Sequence, residues 1–411
     1  MSFGLTFSRN MSRSSPPPDF IVVGAGIVGL ATAYRLQHRF SDCQVTVLEA
    51  ESGVAEHQSG HNSGVLHSGI YYKPGSQKAK TCRAGKAQME AFCDQFEVPW
   101  DRCGKVVVAT RENELVALDL IAEKAMANGV QFERVNSDQL RRLEPKAAGI
   151  AALHVPETGI VDYSKVCQRM AKQIVDRGGR IVFGAQVERI TASSSAVTAI
   201  CRDRQTYSAG RLINCAGLQS DRIARLAGVE PSVRIVPFRG EYYELAPGRE
   251  HLVNNLIYPV PDPAFPFLGV HFTRMIGGGV ECGPNAVLAL AREGYNWSKF
   301  RFADVAETFT FGGFRKLAAR HWRMGLGEMH RSLRKPAFVK ALQKLMPSLR
   351  ESDLVRGRAG VRAQAVTADG ELVDDFLIQR SDSAIHVLNA PSPAATASLA
   401  IADLIVDQVE A

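Results

Sequence analysis

The chain has 411 residues, of which 45% are hydrophobic and 22% charged, with a formal net charge of +7. That composition excludes a disordered polymer and leaves room for two domains with full cores. No run approaches the ~18 apolar residues of a membrane-spanning helix. The eight cysteines form no C-x-x-C pair and no cluster with histidine, so they read as reduced thiols, with neither a metal site nor a disulfide frame.

Residues 1–18, MSFGLTFSRNMSRSSPPP, lack the apolar core of a secretory signal and are expected to be a disordered leader. They are serine-rich, carry Arg9 and Arg13 and contain no acid, as a mitochondrial presequence does. Next, DFIVVG (19–24) reads as a short apolar strand, GAGIVG as a turn, LATAYRLQHRF as a helix, and QVTVLEA as a second strand ending near Glu49. The pieces follow the order of a dinucleotide fingerprint. Gly24 makes the tight turn, Gly26 lets a pyrophosphate approach the backbone, and Gly29 lets helix and strand pack closely. The helix N-terminus faces the phosphates, and Glu49 is placed to accept hydrogen bonds from a ribose diol. The acid argues against a 2′-phosphate and does not separate NAD from FAD.

Residues 58–73, QSGHNSGVLHSGIYYK, are too polar for a core strand and too rich in Val, Leu and Ile for a tail. Beside an FAD they become intelligible as a segment running from the pyrophosphate towards the flavin ring. Its glycines permit close backbone approach. His61, Asn62, Ser63, Gly64 and Val65 would meet phosphate and ribityl oxygens, and His67, Tyr71 and Tyr72 would stand near the ring. The alternative is a surface loop with incidental histidines. Further on, RIVFGAQVERI (180–190) reads as strand; in a flavoprotein of this layout a strand at Val187 would supply backbone contacts to adenine. RLINCAG (211–217) is a strand running into Ala216 and Gly217.

Residues 311–350 hold ten Lys or Arg and one acid, Glu328, interleaved with apolar residues. This is either a basic amphipathic surface for anionic lipid, which would give peripheral membrane contact, or a solvated helical face over a core. No recognition motif for nucleic acid accompanies the charge. SLAIADLIVDQV reads as a closing helix with Leu399, Ile401, Leu404 and Ile405 on its apolar face.

The blocks HNSGVLHSGIYYKPGSQKAK, CGKVVVAT, ETGIVDY, INCAGLQSDRIARLAG, PFRGEYYEL, GVHFTR, GVRAQAVTADGELVDDF and LNAPSPAATASLAI resemble the L-2-hydroxyglutarate dehydrogenase/oxidase family of the FAD-dependent D-amino-acid-oxidase-like superfamily. The resemblance runs from about residue 19 to 407. It implies an α/β protein, with an FAD-binding Rossmann-like domain (19–90, 150–225 and 352–411) interleaved with a substrate domain of mainly antiparallel sheet plus helices (91–149 and 226–351). It implies non-covalent FAD, a 2-hydroxy diacid substrate, and quinone or oxygen as electron acceptor. The location implied is cytoplasmic, peripheral on an inner membrane through 311–350, or mitochondrial in a eukaryote. Gly360 and the helix start Ala394, Ala395 and Thr396 would then meet the cofactor, with the helix dipole towards the flavin.

Oxidising a 2-hydroxy acid requires a carboxylate clamp and a base for the hydroxyl proton, with the Cα hydride held ~3–3.5 Å from flavin N5. Arg362 is the first clamp candidate, because a guanidinium fork matches a carboxylate bidentately. His271 is the first base candidate and His67 the second. For the second carboxylate the candidates are Arg239, Arg274, Lys73, Tyr72, Tyr242 and Tyr243. Alternation places Arg239, Glu241 and Tyr243 on one face of their strand and Gly240 and Tyr242 on the other. A flavoenzyme of the same fold acting on an amino acid or glycerol 3-phosphate is the nearest rival reading.

Overall fold

Phe20–Val23 is the strand on which the smaller of two large sheets is built. The computed structural model describes residues 19–193, 196–262 and 269–410, so the expected leader, 1–18, lies outside it. Phe20–Val23 pairs in parallel with Val45–Leu48 on one side and with Arg211–Asn214 on the other. The sheet order is Leu377–Arg380, Ala384–Asn389, Arg211–Asn214, Phe20–Val23, Val45–Leu48, Arg180–Val182, and only the Leu377–Arg380/Ala384–Asn389 pair is antiparallel. Both faces are covered, which is why the strands read FIVV and VTVL without polar alternation. Phe20 and Val22 point to a core shared with helices Ile27–Arg39, Gln77–Gln95, Tyr163–Asp176 and Ala394–Glu410. Ile21 and Val23 point the other way, to a core shared with the three-stranded antiparallel sheet Val187–Ala192, Val197–Cys201, Thr206–Ala209.

The larger sheet has nine strands, in the order Val287–Leu288, Arg234–Leu245, Val280–Gly283, His271–Arg274, Leu256–Pro259, Lys105–Ala109, Ala151–Val155, Glu133–Asn136, with Leu354–Val366 also lying along Arg234–Leu245. Its one parallel pair joins Leu256–Pro259 to Lys105–Ala109. Two expected boundaries are corrected here. Ala151–Val155 and Leu354–Val366 belong to this larger sheet, because their ladders run to Lys105–Ala109 and Arg234–Leu245 rather than to the smaller sheet.

The basic segment divides between its two readings. Helices Gly312–Leu333 and Lys335–Leu342 bury Phe314, Leu317, Phe338 and Leu342, while Trp322, Leu326, Met329 and Leu333 stay exposed. Several of its cations are paired, Lys316 with Asp369, Arg320 with Glu371 and Arg331 with Glu328. No helix among the described residues is long and apolar enough to cross a membrane.

Candidate active site

A cleft of about 1230 Å³ runs from the C-terminal ends of the parallel strands to the face of the larger sheet. That exceeds the ~300–1,000 Å³ usual for a small-ligand site. At one end the glycine fingerprint has its expected geometry. Gly24 takes φ +105°, and a Cβ there would come 2.6 Å from the Cys215 carbonyl oxygen. A Cβ on Gly29 would come 2.0 Å from the Gly24 carbonyl oxygen, so the first turn of helix Ile27–Arg39 can lie on the strand end only with glycine. Gly26 is different: its Cβ would meet only the Ser59 hydroxyl at 3.2 Å, which leaves its backbone open to the cleft. Glu49 is buried, and its carboxylate accepts the backbone N–H groups of Ala25 and Glu51. This fixes the acid at the cleft wall beside the helix N-terminus. Val187, Ala216 and Gly217 line the same end.

The segment 58–73 follows the cleft. His61, Asn62, Ser63, Val65 and His67 line it. Gly64 does not, and takes φ +68° with Asn62 accepting its N–H at 2.9 Å. Asn62 also donates to the carbonyls of Gln58 and Ser59, so its side chain shapes the loop. Gly360 faces Gly240 across the Arg234–Leu245/Leu354–Val366 ladder, and both line the cleft. Ala394, Ala395 and Thr396 bring the start of the last helix to the cleft. The Thr396 hydroxyl donates to the Val65 carbonyl, accepts the His67 N–H at 3.1 Å and pairs with the Tyr163 hydroxyl. These glycines and this helix start suit a long dinucleotide.

The far end collects the candidate chemistry. His271 opens strand His271–Arg274, shares its face with Thr273, and is 6% exposed. Its Nδ1 lies 2.8 Å from the Gly269 carbonyl oxygen. A carbonyl only accepts, so Nδ1 carries the proton and Nε2 keeps its lone pair. Burial, reinforced by the charges of Lys105 and Arg362 and opposed by the bond to Gly269, brings the imidazole down to about 3. It is therefore neutral at physiological pH. His67 is held well below the ordinary range by burial and then by Lys105, His271 and Lys78. Its Nε2 is 3.4 Å from the Ser392 hydroxyl. Arg362, on strand Leu354–Val366, lines the cleft and acts on His271 through its charge.

Four expected substrate contacts are corrected. Arg239 is fully buried and turned from the cleft, bonded to Glu241 and stacked on Trp297 at 4.2 Å. Tyr243 packs on Phe338 on that same side. Gly240 and Tyr242, the other face, line the cleft. Arg274 alternates with His271 and donates instead to the Asn254 carbonyl. Lys73 is exposed, whereas Lys78, five positions on, lines the cleft and bonds to Asp374. Tyr72 does not line the cleft; its hydroxyl is bonded to Ser392 and its ring lies 5.2 Å from the Lys78 ammonium. Sequence reasoning missed Lys78, and it missed Lys105, a fully buried lysine behind Tyr258 whose ammonium burial pushes down to about 8. Among the described residues, Glu51, His57 and Glu293 group their ligand atoms within 4.8 Å, with His57 already bonded to Glu51 and Tyr295.

The FAD dependent oxidoreductase family model matches residues 19–408. The chain is 51% identical to an L-2-hydroxyglutarate dehydrogenase of Indibacter alkaliphilus over 383 residues, covering 93% of this chain and 96% of that one. It is 43% identical to a mitochondrial L-2-hydroxyglutarate dehydrogenase of Caenorhabditis elegans, covering 98% and 96%. Among solved structures it resembles a dithionite-reduced, FAD-bound L-alpha-glycerophosphate oxidase from Mycoplasma pneumoniae, with a TM-score of 0.77 at 21% identity over 96% of this chain and 95% of that one.

Proposed function

The chain belongs to the FAD-dependent oxidoreductase family, and on that footing we propose that it oxidises L-2-hydroxyglutarate to 2-oxoglutarate. The observation that carries this reading is the meeting of a neutral imidazole, His271, with a guanidinium, Arg362, at the end of a cleft whose other end has dinucleotide geometry. The name shared by the 51%-identical relative supports the substrate. Bound FAD, held without a covalent link, supplies the acceptor for the hydride that leaves Cα.

The protein's own residues do the rest. Arg362 holds the carboxylate next to the hydroxyl-bearing carbon. Nε2 of His271 takes the hydroxyl proton as Cα becomes a carbonyl carbon. Its Nδ1–H bond to Gly269 fixes the ring while the proton arrives. Lys78, the cation at the cleft wall, serves the second carboxylate of the diacid, with the Tyr72 ring packed beside its ammonium. His67, pinned through its backbone by Thr396, closes the site beside His271.

The electron acceptor in this reading is a quinone reached at a membrane surface. Exposed Trp322, Leu326 and Leu333 beside exposed Arg323 and Arg334 support shallow seating on anionic lipid. Co-sedimentation with phosphatidylglycerol vesicles that survives Trp322→Ser with Leu326→Ser would sink that part.

The deciding experiment is the visible spectrum of the purified protein without oxygen. A flavin band that bleaches with the L isomer and not with the D isomer is expected. A band that stays with both isomers would move the substrate to an amino acid or a glycerol phosphate.

A further inference from the structure

Strand register places three residues in a row on one face of the larger sheet. Lys105 and Val107 lie beside Leu256 and Tyr258 in the parallel pair, and Tyr258 lies next to His271 in the following antiparallel pair. The side chains stack accordingly. The Lys105 ammonium is 4.2 Å from the Tyr258 ring centroid, and the Tyr258 ring is 4.0 Å from the His271 ring at 28° between planes. Tyr71 covers the ammonium from a second side at 5.3 Å.

Lys105 is 0% exposed, and its Nζ has no hydrogen-bond partner. The titratable groups that act on it or feel it are Cys82, Cys103, His67, His271, Tyr71 and Tyr258, with no carboxylate among these described residues. A buried cation normally has an anion. This one stands at the first position of the otherwise apolar, fully buried strand KVVVA. Local structure gives no reason for it, and such a departure points to function.

We infer that Lys105 is a positioning residue for the oxidation: its ammonium, one aromatic ring behind His271, holds positive potential at the end of the cleft where the dianionic substrate must sit. The inference rests on His271 as the proton acceptor. A cation held in that place adds to the burial that already keeps His271 and His67 neutral. The same charge lends positive potential to a site that must take in a dianion. Tyr258 transmits this by fixing the spacing, and neither Lys105 nor Tyr258 exchanges a proton with the substrate. Loss of the ammonium's proton near pH 8 then adds an alkaline limb to the rate.

The test compares wild type, Lys105→Met and Lys105→Arg as FAD-loaded proteins. The rate of flavin reduction by L-2-hydroxyglutarate is followed from about pH 5 to about pH 10, and histidine imidazole signals are titrated by NMR without substrate. In the wild type the rate should fall through the Lys105 transition and level off about tenfold lower, at the rate of the methionine variant. Lys105→Arg, with a charge that does not titrate, should hold its plateau. Lys105→Met should run about tenfold slower at neutral pH, lose the alkaline limb, and show His271 titrating at higher pH than in the wild type. A folded, FAD-loaded variant that keeps the wild-type profile and the wild-type His271 titration overturns the inference. If Lys105→Met does not fold, the arginine variant decides alone, by its plateau. If L-2-hydroxyglutarate does not reduce the wild-type flavin, the substrate reading has failed, and the NMR titrations decide on Lys105 independently.

Discussion

A side chain on Gly360 would begin 2.4 Å from the carbonyl oxygen of His61. The loop that lines the cleft thus crosses the larger sheet at a point where only a bare backbone lets it pass. Gly360→Ala forces that loop outward. Overpacking of this kind costs about 1–3 kcal/mol, and the expected result is a lower melting temperature together with a lower flavin-to-protein absorbance ratio. A variant with wild-type values of both would show that the crossing is looser than it looks.

Gly26 and Gly29 are expected to fail differently. Gly29→Ala collides with the Gly24 carbonyl and should damage the fold itself. Gly26→Ala meets only a serine hydroxyl, so the apoprotein should melt nearly as the wild type does, while FAD affinity falls by about tenfold or more. Thermal melts of the apoproteins alongside FAD titrations separate the two.

Arg362→Met should raise KM for the diacid by about 30-fold or more, the scale of losing a charge-assisted bidentate partner. Lys78→Met should weaken the diacid selectively and leave a 2-hydroxy monoacid nearly unaffected. Steady-state kinetics with both acids check this, and equal losses on the two would remove Lys78 from recognition of the second carboxylate.

His271 sits near 3 and His386, fully buried on strand Ala384–Asn389, near 4, both lowered chiefly by burial. The unfolded chain therefore binds protons that the folded chain refuses. This part of the stability is present above the ordinary histidine range, about 6.5, and is lost as pH falls from there through about 4. Melting temperature should drop across that window, with a shallower slope in His386→Gln. An unchanged slope in that variant would mean that His386 does not carry the effect.

Lys105 has the opposite charge logic. Its ammonium is depressed from 10.5 to about 8 by burial, which costs folding about 3 kcal/mol at neutral pH. Lys105→Met should therefore melt several degrees higher while working more slowly, the pattern of stability surrendered for activity. A variant that is both slower and less stable would place Lys105 in the packing.

The glycine fingerprint was legible because its constraints are local. A turn, a close approach and a helix start fall within six consecutive residues, and each demands glycine for a steric reason visible in the spacing. The strand PFRGEYYEL was half legible. Alternation separates Arg239 and Tyr243 from Gly240 and Tyr242, but which face meets the cleft depends on what covers the other. Trp297 and Phe338, far along the chain, settle that. Lys105 was not legible at all. It reads as an ordinary polar start to an apolar strand, and nothing nearby in sequence says that Tyr71 and Tyr258 will seal it in. The same holds for Lys78, whose place at the cleft comes from the docking of helix Gln77–Gln95 against the last helix, where a Cβ on Gly85 would come 2.6 Å from Ala397.

Strand Leu354–Val366 completes the larger sheet, and the strands that follow it, Leu377–Arg380 and Ala384–Asn389, return to the smaller one. Synthesis from the ribosome therefore delivers the closing piece of both sheets last. Phe20–Val23 must wait for Arg211–Asn214, and Arg234–Leu245 for Leu354–Val366, before either gains its full set of neighbours. Neither half can be finished early and set aside. A nascent chain of this topology keeps apolar strand edges uncovered until Leu354–Val366 and Ala384–Asn389 have emerged, which makes it a natural client for chaperones and a poor candidate for division into separately expressed fragments.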